Sequence, residues 1–341
     1  MARRSDPSYR RHLDRVCSMQ VLFNTYPWAF ATPGGGEMQL LKYCEHLPTH
    51  GIRPILHDIW KPNFDTALVH FFSCIGGSIH FCGYVRSRGL PLVISSSLWL
   101  TEETTGLYPI DEIRAQLSIA DLVITNSEME SAALSRVLGL PRERFAAVMN
   151  GVDLWFAQPP DPSVFRSHFG IDGPFVLTVG NVEPRKNQLG LIKAMEGHAL
   201  PIVVIGHVRD KGYADLAFGP AGERVRFLGP LDHADPRLAS AYAACAAFVL
   251  PSTLETPGLA ALEAAAAGAP LVITREGSTR EYFGDMAQYV DYADPTDIRR
   301  GIDAALAAGA HPVLSRHVAE NFGWETVTAR LASVYRDLAT L

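Results

Sequence analysis

The sequence is short of several features that would announce a function at once. It has five cysteines in 341 residues, Cys17, Cys44, Cys74, Cys82 and Cys245, and no two of them form a C-x-x-C pair. Neither a zinc site nor a disulfide framework is suggested, and a reduced, cytosolic compartment is the plain reading. No apolar run reaches the roughly 18 residues that a membrane span requires. The longest, Leu238 to Leu250, is short and ends at Pro251. Positive charge is outnumbered, with 30 Lys and Arg against 36 Asp and Glu and a net charge of −6. That argues against a nucleic-acid partner held on a broad basic face. There is no G-x-G-x-x-G, and no glycine loop closes with Lys-Ser/Thr. A dinucleotide-dependent oxidoreductase and a P-loop enzyme are therefore both disfavoured. No short solenoid repeat is present.

The N-terminus, MARRSDPSYRRHLDR, carries five arginines, but no apolar segment follows it. It is not a secretory signal. A disordered leader, a start placed ahead of Met19, and a basic arm at the inner membrane face all fit residues 1–18.

What is present is a large apolar fraction, 48% against 19% charged, in a chain long enough for two domains. Strand, loop and helix alternate. Strands are expected at Gln20–Asn24, Gly51–His57, Ala67–Phe71, Pro91–Ser95 and Leu122–Asn126, with a helix over Glu37–His46 and a helix cap at Ser127. The rhythm breaks at Asn150-Gly-Val-Asp153 and Pro159-Pro160-Asp161-Pro162, a turn and a stiff polar linker. It restarts with strands at Phe175–Val179, Pro201–Ile205, Val225–Leu228, Ala247–Leu250 and Leu271–Thr274, with an alanine-rich core helix over Ala239–Ala247. The expectation is α/β: a doubly wound Rossmann-like domain over 19–158, a second over 159–323, and a ligand cleft facing both.

The most informative stretch is Leu250-Pro-Ser-Thr-Leu-Glu255-Thr-Pro-Gly-Leu-Ala-Ala-Leu-Glu263, which runs on to Gly268-Ala-Pro270. A strand ends at Leu250. Thr256 reads as an N-cap, Pro257 as the first helical residue and Gly268 as the stop. Free amides at Gly258 and Leu259 would face an anion. Glu255 precedes the helix and Glu263 lies two turns into it. A solvated surface Glu is the bland alternative for Glu263. A second constellation, Val179-Gly-Asn-Val-Glu-Pro-Arg185-Lys186-Asn187, follows a strand and opens a helix that Asn187 would cap. Two cations there oppose the helix dipole and make sense around a phosphate. A third, Pro33-Gly34-Gly35-Gly36-Glu37, lets backbone approach a ligand closely.

Together these residues resemble the retaining glycosyltransferases of family 4 (glycosyl transferases group 1), which have the GT-B fold. The shared features are the E-x7-E pair Glu255/Glu263, V-G-N-V-E-P-R-K-N, G-G-G-E, N-G-V-D and a closing N-F-G-W-E before a final helix. The resemblance implies a metal-independent hexosyltransferase that uses a nucleotide-diphosphate sugar as co-substrate, with no separate cofactor and with GDP-mannose favoured. It implies a glycan or glycolipid acceptor in surface polysaccharide assembly, in the cytoplasm or peripherally at the membrane. Arg185 and Lys186 would neutralise the diphosphate and Glu255 would contact the donor sugar, with Gly258 and Leu259 amides nearby. Glu263 would hold the ribose, and Gly35 and Gly36 would approach the phosphates. The final helix, 324–341, would pack on the first domain. Asn181 stands where many members have Arg, and Ser97 where many have His. Ser97 and Trp99 are the acceptor-side candidates. Trp99 is either a sugar platform or a core aromatic. His207, at a strand end, is placed near the nucleotide. His70, also at a strand end, is read first as a packed histidine. Two further readings share the fold: a silent sugar-nucleotide-binding scaffold and a nucleotide-sugar epimerase.

Overall fold

The computed structural model describes residues 19–31, 34–158, 161–220 and 222–340. The basic leader, Pro33, and Pro159 and Pro160 of the linker lie outside the described residues. The chain divides into two compact units. One runs to Asn150 and adds Trp324–Leu341; the other is Gly151–Gly323.

The first unit is a six-stranded parallel sheet: β1 (Met19–Thr25), β2 (Ile52–Leu56), β3 (Leu68–Phe72), β4 (Leu92–Ser95), β5 (Leu122–Thr125) and β6 (Phe145–Ala147), in the order β2-β1-β3-β4-β5-β6. Its helices are α1 (Gly35–His46), α2 (Ile79–Ser87), α3 (Ile110–Ile119) and α4 (Glu128–Leu138). β3 and β4 are buried at every residue, as expected for strands covered on both faces. Val69, Phe71, Ile94 and Val123 pack there against Ile113, Leu117 and Leu134.

The C-terminal helix, Trp324–Ala339, belongs to this unit. It buries Trp324 against Tyr43, ring to ring at 6.1 Å, and places the Tyr335 hydroxyl 2.5 Å from His70 Nδ1. His70 is fully buried, with Ser95 Oγ at 2.9 Å from its Nε2. Burial drives its imidazole down to about 3, so it is neutral. His70 is thus a core hydrogen-bonding residue, not a cleft residue.

The second unit has β7 (Val176–Val179), β8 (Ile202–Ile205), β9 (Val225–Phe227), β10 (Ala247–Leu250), β11 (Leu271–Thr274) and β12 (Gln288–Val290), in the order β12-β11-β10-β7-β8-β9. Its helices are α5 (Pro162–Phe169), α6 (Gln188–Ala194), α7 (Lys211–Phe218), α8 (Pro236–Ala244), α9 (Leu259–Ala266), α10 (Thr279–Phe283), α11 (Pro295–Ala308) and α12 (Pro312–Phe322). Val176, Val204, Val249 and Val272 meet Leu191, Ile298 and Ile302 in the core.

Three expectations need correction. The first unit ends at Asn150, not 158. Residues 151–157 are held by the second unit: Val152 bridges to Gly323, and the buried Phe156 packs on Tyr242. The alanine-rich helix ends at Ala244, because Ala247 already begins β10. Finally, Gly35 and Gly36 are not loop residues but the first two residues of α1. Glu37 stabilises that start by accepting the Gly34 N–H at 2.7 Å. Among the described residues, no helix is long and apolar enough to cross a membrane.

Candidate functional site

In doubly wound sheets, ligands sit beyond the carboxyl ends of the strands where the winding reverses. In the second unit that point lies between β7 and β10, which are neighbours in the sheet. The loops after these two strands carry Arg185, Lys186 and Glu255.

The loops are tied together through their backbones. Asn187 takes a left-handed conformation, caps α6 through the Gly190 amide, and donates its Nδ2 to Pro251 O at 3.0 Å and Tyr292 O at 2.8 Å. The Thr253 amide donates to Arg185 O at 2.9 Å. The loop after β11 secures Glu255 in turn: the Glu255 amide donates to Glu276 O, and the Ser278 amide donates to Glu255 O. Gly277, at φ +98°, makes this possible, since a Cβ there would lie 2.1 Å from Glu255 O.

The side chains of the two loops converge. Lys186 Nζ lies 2.5 Å from Glu255 Oε1, and Arg185 lies 3.7 Å from the same oxygen. Arg185 also reaches Glu183 at 3.3 Å and is half exposed. Glu255 is only 5% exposed. Burial by itself pushes its carboxyl up, but the charges of Lys186 and Arg185 outweigh this and hold it below the usual carboxylate range. A buried carboxylate with two cations, one of them a part-exposed guanidinium, has the chemistry to hold an anion and a hydroxyl.

Thr256 and Pro257 do not open the next helix. α9 begins at Leu259, with Gly258 as its N-cap at φ +84°. The strand-like bridge between Glu255 and Gly277 keeps the loop extended and delays the helix. Leu259 therefore heads the first turn, and Gly258 sits before it. A Cβ on Gly258 would meet Glu255 Oε2 at 2.8 Å and Leu250 Cδ2 at 3.1 Å, so only glycine leaves the carboxylate its place. The stop at Gly268 is as expected: it is left-handed at φ +82°, with the Ala269 amide donating to Ala264 O.

Glu263 is not a surface residue. It is 7% exposed and belongs to a separate cluster. Tyr242 Oη donates to its Oε2 at 2.8 Å, and His233 Nδ1 lies 3.3 Å from its Oε1. His233 Nε2 lies 2.8 Å from Asp153 Oδ2. Sequence reasoning passed over His233 and Tyr242. The only available signals were that His233 follows a strand of this unit and that Asp153 closes the N-G-V-D turn. His207 is exposed; it is its backbone that is engaged, with His207 O accepting the Val182 amide at 2.8 Å.

In the first unit the winding reverses between β1 and β3. A cavity of about 200 Å³ lies there, lined by Thr25, Gly36, Glu37, Ser73, Ser96 and Ser97 among others. Ser97 stands at φ +44°. Its loop is held by the fully buried Glu130, which accepts from Ser96 Oγ at 2.8 Å and from the Leu98 amide at 3.3 Å. Gly36 faces Ser97 Oγ. Trp99 is half-buried and does not line this cavity. Among the described residues, no three His, Cys, Asp or Glu side chains are grouped to hold a metal ion.

Residues 164–321 match the family of glycosyl transferases group 1. Over 311 residues the sequence is 32% identical to D-inositol 3-phosphate glycosyltransferase 1 of Catenulispora acidiphila, covering 80% of this chain and 72% of that one. The chain belongs to the glycosyl transferases group 1 family. A second family relative from the same organism, D-inositol 3-phosphate glycosyltransferase 2, is 31% identical over 303 residues, covering 81% of this chain and 66% of its own. The chain spans between 54% and 72% of the length of such curated relatives. The family fold, GT-B, is also that of Anabaena HepE, crystallised with UDP and glucose. That structure overlays with a TM-score of 0.77 at 18% identity, covering 94% of this chain and all of that one.

Proposed function

We propose that the chain is a retaining glycosyltransferase. It moves a hexose from a nucleotide-diphosphate sugar to a hydroxyl of a glycan or glycolipid acceptor in surface polysaccharide assembly. The observation that carries this reading is the Arg185–Lys186–Glu255 cluster at the β7/β10 reversal point. The two cations supply the charge that a leaving diphosphate needs, so the reaction proceeds without a metal. Glu255, ionised and held in place, accepts hydroxyls of the donor sugar. Glu263 accepts those of the ribose. The crevice of the first unit, with Thr25, Ser73, Ser96 and Ser97 hydroxyls and the Glu37 carboxyl group in its lining, suits an acceptor polyol.

The relatives' names widen the acceptor class to include D-inositol 3-phosphate. The UDP and glucose in the HepE crystal put UDP-sugars beside GDP-mannose as donors. A thermal-shift screen with UDP, GDP, ADP and their hexose conjugates is the test. A ligand at 100 times its Kd adds about 2.7 kcal/mol of stability. One nucleotide should raise the melting temperature, and Lys186→Ala should abolish the shift. A folded sample that responds to none of them would favour a silent scaffold. Turnover of the donor without any acceptor would favour an epimerase. Transfer unchanged by a chelator is expected.

A further inference from the structure

Both oxygens of Glu263 are already engaged by the protein, by Tyr242 on one side and His233 on the other. Each carboxylate oxygen has two lone-pair sites, so one remains free on each. That is the acceptor capacity a vicinal diol requires. His233 in turn lies with one ring nitrogen 2.8 Å from Asp153 and the other 3.3 Å from Glu263. A neutral imidazole has a single N–H and can donate to only one of them; donating to both requires the imidazolium. The two carboxylates are 11% and 9% exposed, whereas the ring is about one-third exposed. Phe156 and Trp155 stand edge-on to the ring at 5.4 and 6.1 Å.

We infer that His233 is a positioning residue: anchored by Asp153, it fixes Glu263 so that its free lone pairs meet the two hydroxyls of the donor's ribose. The inference rests on the donor-site reading above. It adds that recognition of the ribose passes through a residue that does not itself touch the diol.

The electrostatic setting supports it. Burial alone would lower the His233 pKa, but its hydrogen bonds to Asp153 and Glu263 raise it to about 9. The groups facing the ring are Asp153 from the segment after Asn150, Glu263 from α9 and, through Glu263, Tyr242 from α8. On its own loop stand Asp232 and Asp235, the latter bound by Arg237. The folded-state value lies above the ordinary 6.5. The positioning is therefore complete below that value, persists at neutral pH and is lost as pH rises through about 9.

The test measures the affinity of UDP, with GDP and ADP in parallel, and of the 2′-deoxy form of whichever nucleotide binds. It uses the full chain and the variants His233→Gln, Glu263→Gln and their double, between pH 7 and 10. His233→Gln should weaken the ribonucleotide about tenfold, the scale of one hydrogen bond to a charged group, and the deoxy form far less. The double variant should bind no more weakly than Glu263→Gln alone. Wild-type affinity should fall towards that of His233→Gln between pH 8 and 10, while the variant stays flat. Equal loss for both nucleotides, additive losses, or no loss at all would overturn the inference while leaving the donor site standing. If Glu263→Gln itself leaves affinity unchanged, the donor-site reading falls too. Asp153→Ala, which keeps the ring and removes the acceptor that anchors it, gives the same readouts should His233→Gln fail to fold.

Discussion

The two units use one topological device for opposite chemistries. Each reverses the winding of its parallel sheet, and each holds a buried carboxylate among the loops that follow the strands. In the first unit that carboxylate is Glu130, fully buried, which accepts from the Ser96 hydroxyl and the Leu98 and Asn126 amides. In the second it is Glu255, whose partners are a lysine and an arginine. Neutral donors lock Glu130 into the scaffold, behind a crevice whose lining has several hydroxyls, the Glu37 carboxyl group and no cation. Charged donors leave Glu255 within a field that attracts an anion. Burial alone therefore does not distinguish the two carboxylates; the charge of their partners does.

The comparison is broken most severely at Lys186 and Glu255. Glu255→Gln and Lys186→Ala should each lower turnover about 10²- to 10³-fold, the loss expected when one preorganised electrostatic contact is removed. Initial rates with the donor found by thermal shift measure this. The lysine variant also strands a buried carboxylate, so it should lose stability as well, by about 3–5 kcal/mol unless Glu255 takes up a proton. The pH dependence follows from Glu255. Its folded pKa lies below the ordinary glutamate value of 4.5, so the stability it contributes is present above 4.5 and fades as pH falls through the folded value. The stability gap between wild type and Glu255→Gln should shrink with acidification in urea titrations.

Glu130→Ala should do the reverse. It removes the acceptor of several buried donors, and hydrogen bonds to a charged group contribute about 1.5–3 kcal/mol. A loss of about 3 kcal/mol in chemical denaturation is expected, with nucleotide affinity within about twofold of wild type. Lost nucleotide binding in this folded variant would contradict the separation of roles.

Ionic strength sharpens the contrast more gently. Arg185 is half exposed, and its attraction for a diphosphate is screened over a Debye length of about 10 Å at 0.1 M salt. Nucleotide affinity should fall several-fold between 0.05 and 0.5 M salt by about that screening. The KM of a neutral acceptor should hardly move.

Much of this was legible in the sequence. Buried parallel strands read as β-branched runs, and Ser127, Asn187 and Gly268 marked helix ends through local chemistry. The positions of Arg185, Lys186 and Glu255 at strand ends were legible from their motifs, though their mutual contact was not. What was not legible depends on long-range partners. The three-residue edge strands β6 and β12 lack a long apolar run. The start of α9 was misread because the Glu255–Gly277 bridge, formed with a distant loop, holds Thr256 and Pro257 out of the helix. Trp155 and Phe156 were counted with the first domain until packing assigned them to the second unit. For Glu263 the solvated alternative stayed open because its partners, His233 and Tyr242, come from a loop and a helix more than twenty residues away in sequence.

The smallest effect is expected at Ser97, and it is the finest test of the first crevice. Ser97 sits at φ +44°, where an L side chain costs roughly 1–2 kcal/mol. Ser97→Ala would keep that strain, whereas Ser97→Gly removes the hydroxyl and suits the backbone. Ser97→Gly should therefore melt at or slightly above the wild-type temperature. If the hydroxyl meets an acceptor polyol, the acceptor KM should rise by about one neutral hydrogen bond, three- to tenfold. Nucleotide affinity should stay unchanged, because no charge has been touched. A loss of nucleotide affinity comparable to that of Lys186→Ala would mean that the hydroxyl crevice serves the donor, and the division between the two units would then have to be redrawn.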